Sequence, residues 1–184
     1  AMGHQALYNS LSSNYNRAIG QYALCSNWGG CYNIALGERA LCSNTTGCYN
    51  HAIGCCALGN NTTGLDNIGI GRLAMYSNTT GSYNSAMGCG ALCSNTTGEY
   101  NQAIGNYALN KNITGCHNTA IGDRAMRCNT DGCYNTALGR YALYTSLSGD
   151  NNFAAGQCAL YNNWGGGANA AIGNQALKAN TTGS

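Results

Sequence analysis

The sequence predicts an all-β fold, a parallel β-solenoid (β-roll) of about eleven 17-residue coils, and three observations carry that expectation. First, one interval of 17 residues separates Asn16, Asn33, Asn50, Asn67, Asn84, Asn101, Asn118, Asn135, Asn152 and Asn169, with no insertion or deletion. Self-similarity at a fixed period is the mark of a repeat architecture. Second, the unit is shorter than the roughly 33–47 residues of helical-pair repeats. Third, its 27 glycines and abundant asparagines disfavour helix.

The copies share the frame N-x-A-I-G-x-x-A-L-x-x-N-T-T-G-x-Y. Position five is Gly in all eleven copies, from Gly3 to Gly173, and position eight is Ala in all eleven, from Ala6 to Ala176. Position nine is Leu except at Met75 and Met126, and position fifteen is Gly except at Ser13. A slower rhythm lies over this one, since SLSSNYNRAIGQYALCSNWGG (10–30) returns as SLSGDNNFAAGQCALYNNWGG (146–166), eight copies later. Residues 1–184 read as a single repeat array that begins and ends inside a repeat, as expected of a piece of a longer fibre.

The frame predicts a first strand over N-x-A-I-G, a second over x-x-A-L-x, and a longer connection through x-N-T-T-G-x-Y. Glycines five and fifteen supply the positive φ or close backbone approach that each bend needs. Coils stacked about 4.8 Å apart would make a rod roughly 50 Å long.

Alternation along the first strand assigns its faces. Position two varies freely (Arg17, Ile34, His51, Ser85, Gln102, Phe153) and so faces outward. Position four must then face outward too. It holds Ile19, Leu36, Ile53, Ile70, Met87, Ile104, Ile121, Leu138 and Ile172, with Ala155 as an exception. An outward apolar ladder of that length calls for a partner. The expected partner is the chain itself, in a parallel homo-oligomer whose ladders meet along a shared axis. A bulged strand would instead turn position four into core. The interior is left with Ala, Gly and one Leu per coil. Asparagines one and twelve are expected to stack into hydrogen-bonded ladders, since buried polar groups need partners. Tyr at position seventeen should stack beside the first strand.

The words NTAIG (118–122) and NTALG (135–139) resemble the NSVAIG-type repeats of trimeric autotransporter adhesin heads. The whole frame is still more similar to the NTAIGxxALxxNTTG arrays of phage tail fibres. The resemblance covers essentially the entire chain and implies a trimeric, left-handed parallel β-roll serving as a fibre shaft or adhesive head. Its longer repeat and its cysteines depart from the adhesin pattern.

Twelve cysteines occupy only variable positions. Cys25 with Cys42, Cys31 with Cys48, and Cys116 with Cys133 hold equivalent positions on adjacent coils. About 4.8 Å apart, their Cα atoms fall within disulfide range, so they are expected to staple coil to coil. A within-coil alternative pairs Cys25 with Cys31 and Cys42 with Cys48. Cys55, Cys56, Cys89, Cys93, Cys128 and Cys158 lack such neighbours and would pair laterally or between subunits. The absence of C-x-x-C and the scatter of His4, His51 and His117 speak against zinc.

GIGRLA (69–74) mimics a dinucleotide-binding fingerprint but is copy four of the repeat. Asn-X-Thr sequons at Asn44, Asn60, Asn61, Asn78, Asn95, Asn112 and Asn180 read as by-products of the N-T-T-G turn. No constellation of acid, base or nucleophile suggests an enzyme, and no cofactor is implied. A net charge of +2 gives no footprint for nucleic acid. No apolar run approaches the ~20 residues of a membrane span.

The expected function is a structural or adhesive fibre segment, extracellular or on a cell or virion surface, with a cell-surface glycan or receptor as a candidate partner. Two alternatives stand beside it. One is ice binding through the Thr pairs at 45–46, 62–63, 79–80, 96–97 and 181–182. The other is a self-assembling filament without a receptor.

Overall fold

Because every coil repeats its neighbour's sequence without slippage, equivalent backbone groups find equivalent partners in successive coils, most of them on the adjacent coil. The computed structural model describes residues 1–12 and 14–183, and Ser13, the one exception to glycine at position fifteen, lies outside them. The protein is a parallel β-solenoid with a single ten-stranded sheet. Its strands are β1 (Arg17–Ile19), β2 (Ile34–Leu36), β3 (His51–Ile53), β4 (Ile68–Ile70), β5 (Ser85–Met87), β6 (Gln102–Ile104), β7 (Thr119–Ile121), β8 (Thr136–Leu138), β9 (Phe153–Ala155) and β10 (Ala170–Ile172). Strand order follows chain order, and every pair is parallel with equivalent residues opposed, as Ala103 opposes Ala120. Met2 extends the sheet by a parallel bridge to Ile19. Each strand is only three residues long and buries only its central residue. Positions two and four therefore point outward, as alternation requires.

The second strand expected over x-x-A-L-x does not form. Positions seven and nine take left-handed φ, as at Tyr107 (54°) and Leu109 (48°), while Ala108 between them does not. Both Ala108 and Leu109 are fully buried, which a pleated strand would forbid for neighbours. Pairing between coils nonetheless continues. Tyr107 N–H donates to the Cys89 carbonyl of the preceding coil at 2.9 Å, and Leu92 N–H donates to the Ala108 carbonyl of the following coil at 2.9 Å. Left-handed φ costs an L-residue roughly 1–2 kcal/mol. Burying one leucine, worth about 1.5–3 kcal/mol, offsets much of it.

The two recurrent glycines answer to different constraints. At position five, φ lies between 124° and 138°, and a Cβ would come 2.4–2.8 Å from the carbonyl oxygen of the next coil's glycine wherever such a coil follows. At position fifteen φ is ordinary, and the constraint is space alone. A Cβ on Gly98 would meet the Gly115 oxygen and Asn95 Oδ1 at 2.4 Å each.

That crowding arises because the position-fifteen carbonyl gathers both asparagine ladders. Gly98 O accepts from Asn84 Nδ2 at 2.8 Å and from Asn95 Nδ2 at 3.0 Å. Each position-one Oδ1 then accepts the backbone N–H of the next asparagine, as Asn101 donates to Asn84 at 2.9 Å. Where the preceding position twelve is also asparagine, Nδ2 donates to that residue's Oδ1 as well, as Asn112 does to Asn95 at 2.8 Å. Asn33, Asn50, Asn67, Asn84, Asn101, Asn118, Asn135 and Asn152 are buried, whereas Asn16 and Asn169 in the outer coils are more open. The core is thus a polar seam beside a thin apolar one of Ala and Leu.

Serine interrupts the position-twelve ladder at Ser146. Asn129 Oδ1 and Ser146 Oγ are consequently buried without hydrogen-bond partners. Asn163 Nδ2 keeps only its bond to Gly166 O. Ser146→Asn should close the ladder and stabilise the protein by about 1–2 kcal/mol, read as a raised urea midpoint. Gly105→Ala should cost about 3 kcal/mol or more, since it adds strain to a backbone clash. The matched control Gly165→Ala, where a Cβ meets nothing within 4 Å, should leave the midpoint within experimental scatter.

Candidate functional site

The sheet's outer face gathers the side chains free to meet another molecule. Its apolar column runs through Ile19, Leu36, Ile53, Ile70, Met87, Ile104, Ile121, Leu138 and Ile172. All are exposed except the half-buried Leu36 and Leu138. Beside it stands the aromatic column of position seventeen. Tyr15, Tyr32 and Tyr49 stack with centroids 4.8 and 5.0 Å apart. Tyr83, Tyr100, His117 and Tyr134 form a second run at 4.8–4.9 Å, with planes within 8°. These spacings equal the coil repeat, so the rings report the stacking of the backbone beneath them. Between the two columns, Arg17, Ile34 and His51 with Tyr15, Tyr32 and Tyr49 line a shallow groove.

A second side of the rod carries a basic–aromatic cluster that the repeat frame alone did not reveal. Arg140 lies 4.7 Å above the Tyr141 ring, and Arg124 donates to the Tyr141 hydroxyl. Asp123 sits 3.7 Å from Arg140 and 3.8 Å from Arg124. Tyr144 stacks on Tyr161 at 5.0 Å and accepts from Arg127 at 2.9 Å. The detectable signal was local: Arg124, Arg127, Arg140, Tyr141 and Tyr144 all occupy variable positions of neighbouring copies.

The N-T-T-G turn is scaffold. Thr62 O accepts three successive amides of the preceding coil, from Thr45, Thr46 and Gly47, at 2.9–3.3 Å, and the Thr45 hydroxyl besides at 3.0 Å. Asn44, Asn61, Asn78, Asn95 and Asn112 of the sequons are fully buried with their amides engaged, which closes them to glycosylation in the folded protein. Gly69 of the GIGRLA segment lies in the middle of β4, in no phosphate-binding turn.

The expected staples are not formed, because all twelve cysteines are free thiols. Equivalent positions bring Cα atoms close but keep the Cα–Cβ bonds parallel. The Cβ atoms therefore stay near the coil spacing of about 4.8 Å, beyond the 3.5–4.5 Å that a disulfide adopts. The thiols bond to backbone instead. Cys31 N–H donates to Cys48 Sγ at 3.0 Å, Cys116 N–H donates to Cys133 Sγ at 3.1 Å, and Cys25 Sγ donates to the Cys42 carbonyl at 3.3 Å. Among the described residues, no three His, Cys, Asp or Glu side chains converge as a metal site would require. No helix there is long and apolar enough to cross a membrane.

Burial raises the pKa values of Cys42, Cys93 and Cys133. Burial, together with the Cys55 thiol whose Sγ lies 3.6 Å away, pushes Cys56 up to about 11. A thiol raised in the folded state favours folding below its unfolded pKa, and that contribution is lost as pH climbs through the folded value. Only the thiolate is nucleophilic. Alkylation of Cys56 by iodoacetamide, followed by peptide mapping, should therefore show a midpoint near pH 11 in the folded protein. In the urea-unfolded chain the midpoint should fall to about 8.5. No family model, curated protein or solved structure matches the chain.

Proposed function

We propose that the chain is a structural and adhesive segment of an extracellular or virion-surface fibre. It acts as a rod that spaces and presents binding surface and assembles as a parallel homo-oligomer, a trimer by its resemblance to adhesin and tail-fibre repeats. The single observation behind this reading is the exposed ladder from Ile19 to Ile172. It runs along one line of the rod, with Ala155 as its small rung. Apolar surface so arranged is removed from water at about 25 cal/mol per Å² when identical ladders meet. A common register makes every coil contribute. The positions free to vary, including exposed Trp28 and Trp164 and the Arg–Tyr cluster, would then carry recognition of a cell-surface glycan or receptor.

Native mass measurement without reductant tests the assembly. Wild-type protein is expected as three copies, and Ile104→Lys with Ile121→Lys should shift it to monomers that still melt cooperatively. A wild-type monomer at micromolar concentration would remove the basis of the proposal.

A further inference from the structure

The aromatic column has one gap bounded by a ring on both sides. Asp66 occupies position seventeen between Tyr49 and Tyr83, with a left-handed φ of 53° against 60° and 61° for those tyrosines. Its backbone therefore continues the column while its side chain supplies no ring. Tyr49 is 51% and Tyr83 48% exposed, and Asp66 is exposed, with no side-chain hydrogen bond or ion pair among the described residues. Among the described residues, the column's other interruption, at Asn151 and Ala168, has an aromatic neighbour only in Tyr134.

Two coil spacings separate Tyr49 from Tyr83, roughly 9.6 Å. A planar ring midway would lie about 4.8 Å from each, inside the 4.5–7 Å range of favourable offset stacking. The column already uses that geometry, with Tyr32 on Tyr49 at 5.0 Å and Tyr83 on Tyr100 at 4.9 Å. At the base of the gap is a carboxylate, and beside it stand Leu65 and Ile68, 38% and 36% exposed. Tyrosine faces attract cations, and the carboxylate adds to that preference.

We propose that Tyr49, Asp66 and Tyr83 form a binding slot for one planar aromatic cation. The slot selects on two properties. Planarity is needed to enter between two rings, and positive charge is needed to meet Asp66 and both ring faces.

Saturation-transfer NMR with 1-methylnicotinamide as probe tests the slot. Nicotinamide serves as the neutral planar control and choline as the non-planar cation. Wild-type protein should bind 1-methylnicotinamide in preference to both. Asp66→Tyr, which places a native ladder residue in the gap, should raise the melting temperature and weaken binding at least about ten-fold, by removing both stacking faces. Asp66→Asn should keep the gap, lower affinity for the cation about three-fold or more, and leave nicotinamide binding unchanged. Tyr83→Ala, a change confined to the exposed column, should also weaken binding. Equal signals from wild type and Asp66→Tyr, equal affinity for the three probes, or no saturation transfer to 1-methylnicotinamide would each overturn the proposal.

Discussion

Everything in this protein follows from the stacking of each residue on its own equivalent one coil away. At a spacing near 4.8 Å a position must be compatible with itself, above and below. Three classes of residue satisfy that condition here. Glycine does so where the neighbouring carbonyl occupies the space of a Cβ, as Gly122 does against Gly139 at 2.6 Å. Asparagine does so by being donor and acceptor at once, so that a column of one residue type saturates itself. Alanine and leucine do so by filling a core too narrow for anything larger. The invariance of the frame is the sum of these local conditions, applied at every step of the rod.

The asparagine seam carries a heavier duty than its small side chains suggest. A coil of 17 residues with one three-residue strand leaves most backbone groups outside the sheet itself, and those buried must still be paired. Position-one amides are paired by side-chain oxygens and position-fifteen carbonyls by side-chain nitrogens. The apolar core is one leucine or methionine and at most two alanines per coil, so polar satisfaction and backbone pairing decide whether a coil closes. Ser146 shows the consequence, because a single shorter side chain leaves two buried atoms unpartnered and deprives Asn163 of a third contact.

The repeat interval, the parallel stacking and the outward sense of position four were all legible in the sequence, because each rests on periodicity that counting reveals. Ile104 and Gln102 flank a buried Ala103 as alternation requires. The x-x-A-L-x segment was misread for a physical reason. Left-handed φ at Leu109 or Tyr107 has no compositional signal, since leucine and tyrosine are poor choices for it. The tertiary demand to bury Ala108 and Leu109 together overrides local preference. No disulfide joins the stacked cysteines, because an in-register stack keeps their side-chain vectors parallel and holds the Cβ atoms near the coil spacing. The Arg124–Tyr141 cluster lies wholly in variable positions and needed the third dimension to assemble.

Self-compatibility also determines where individuality can arise. A substitution at Gly105, Asn101 or Ala108 disturbs two interfaces at once, the coil above and the coil below. Outward positions meet their equivalents only through side chains, so a column there can change identity without disturbing the backbone. Such a change matters most where it breaks a run, because the neighbours then expose faces they would otherwise cover. Asp66 does this to Tyr49 and Tyr83, and the short Ala155 does it to the apolar ladder between Leu138 and Ile172. In a rod built from one repeated sentence, recognition is therefore expected at the interruptions of the outer columns, where the uniform scaffold holds an otherwise hidden surface open.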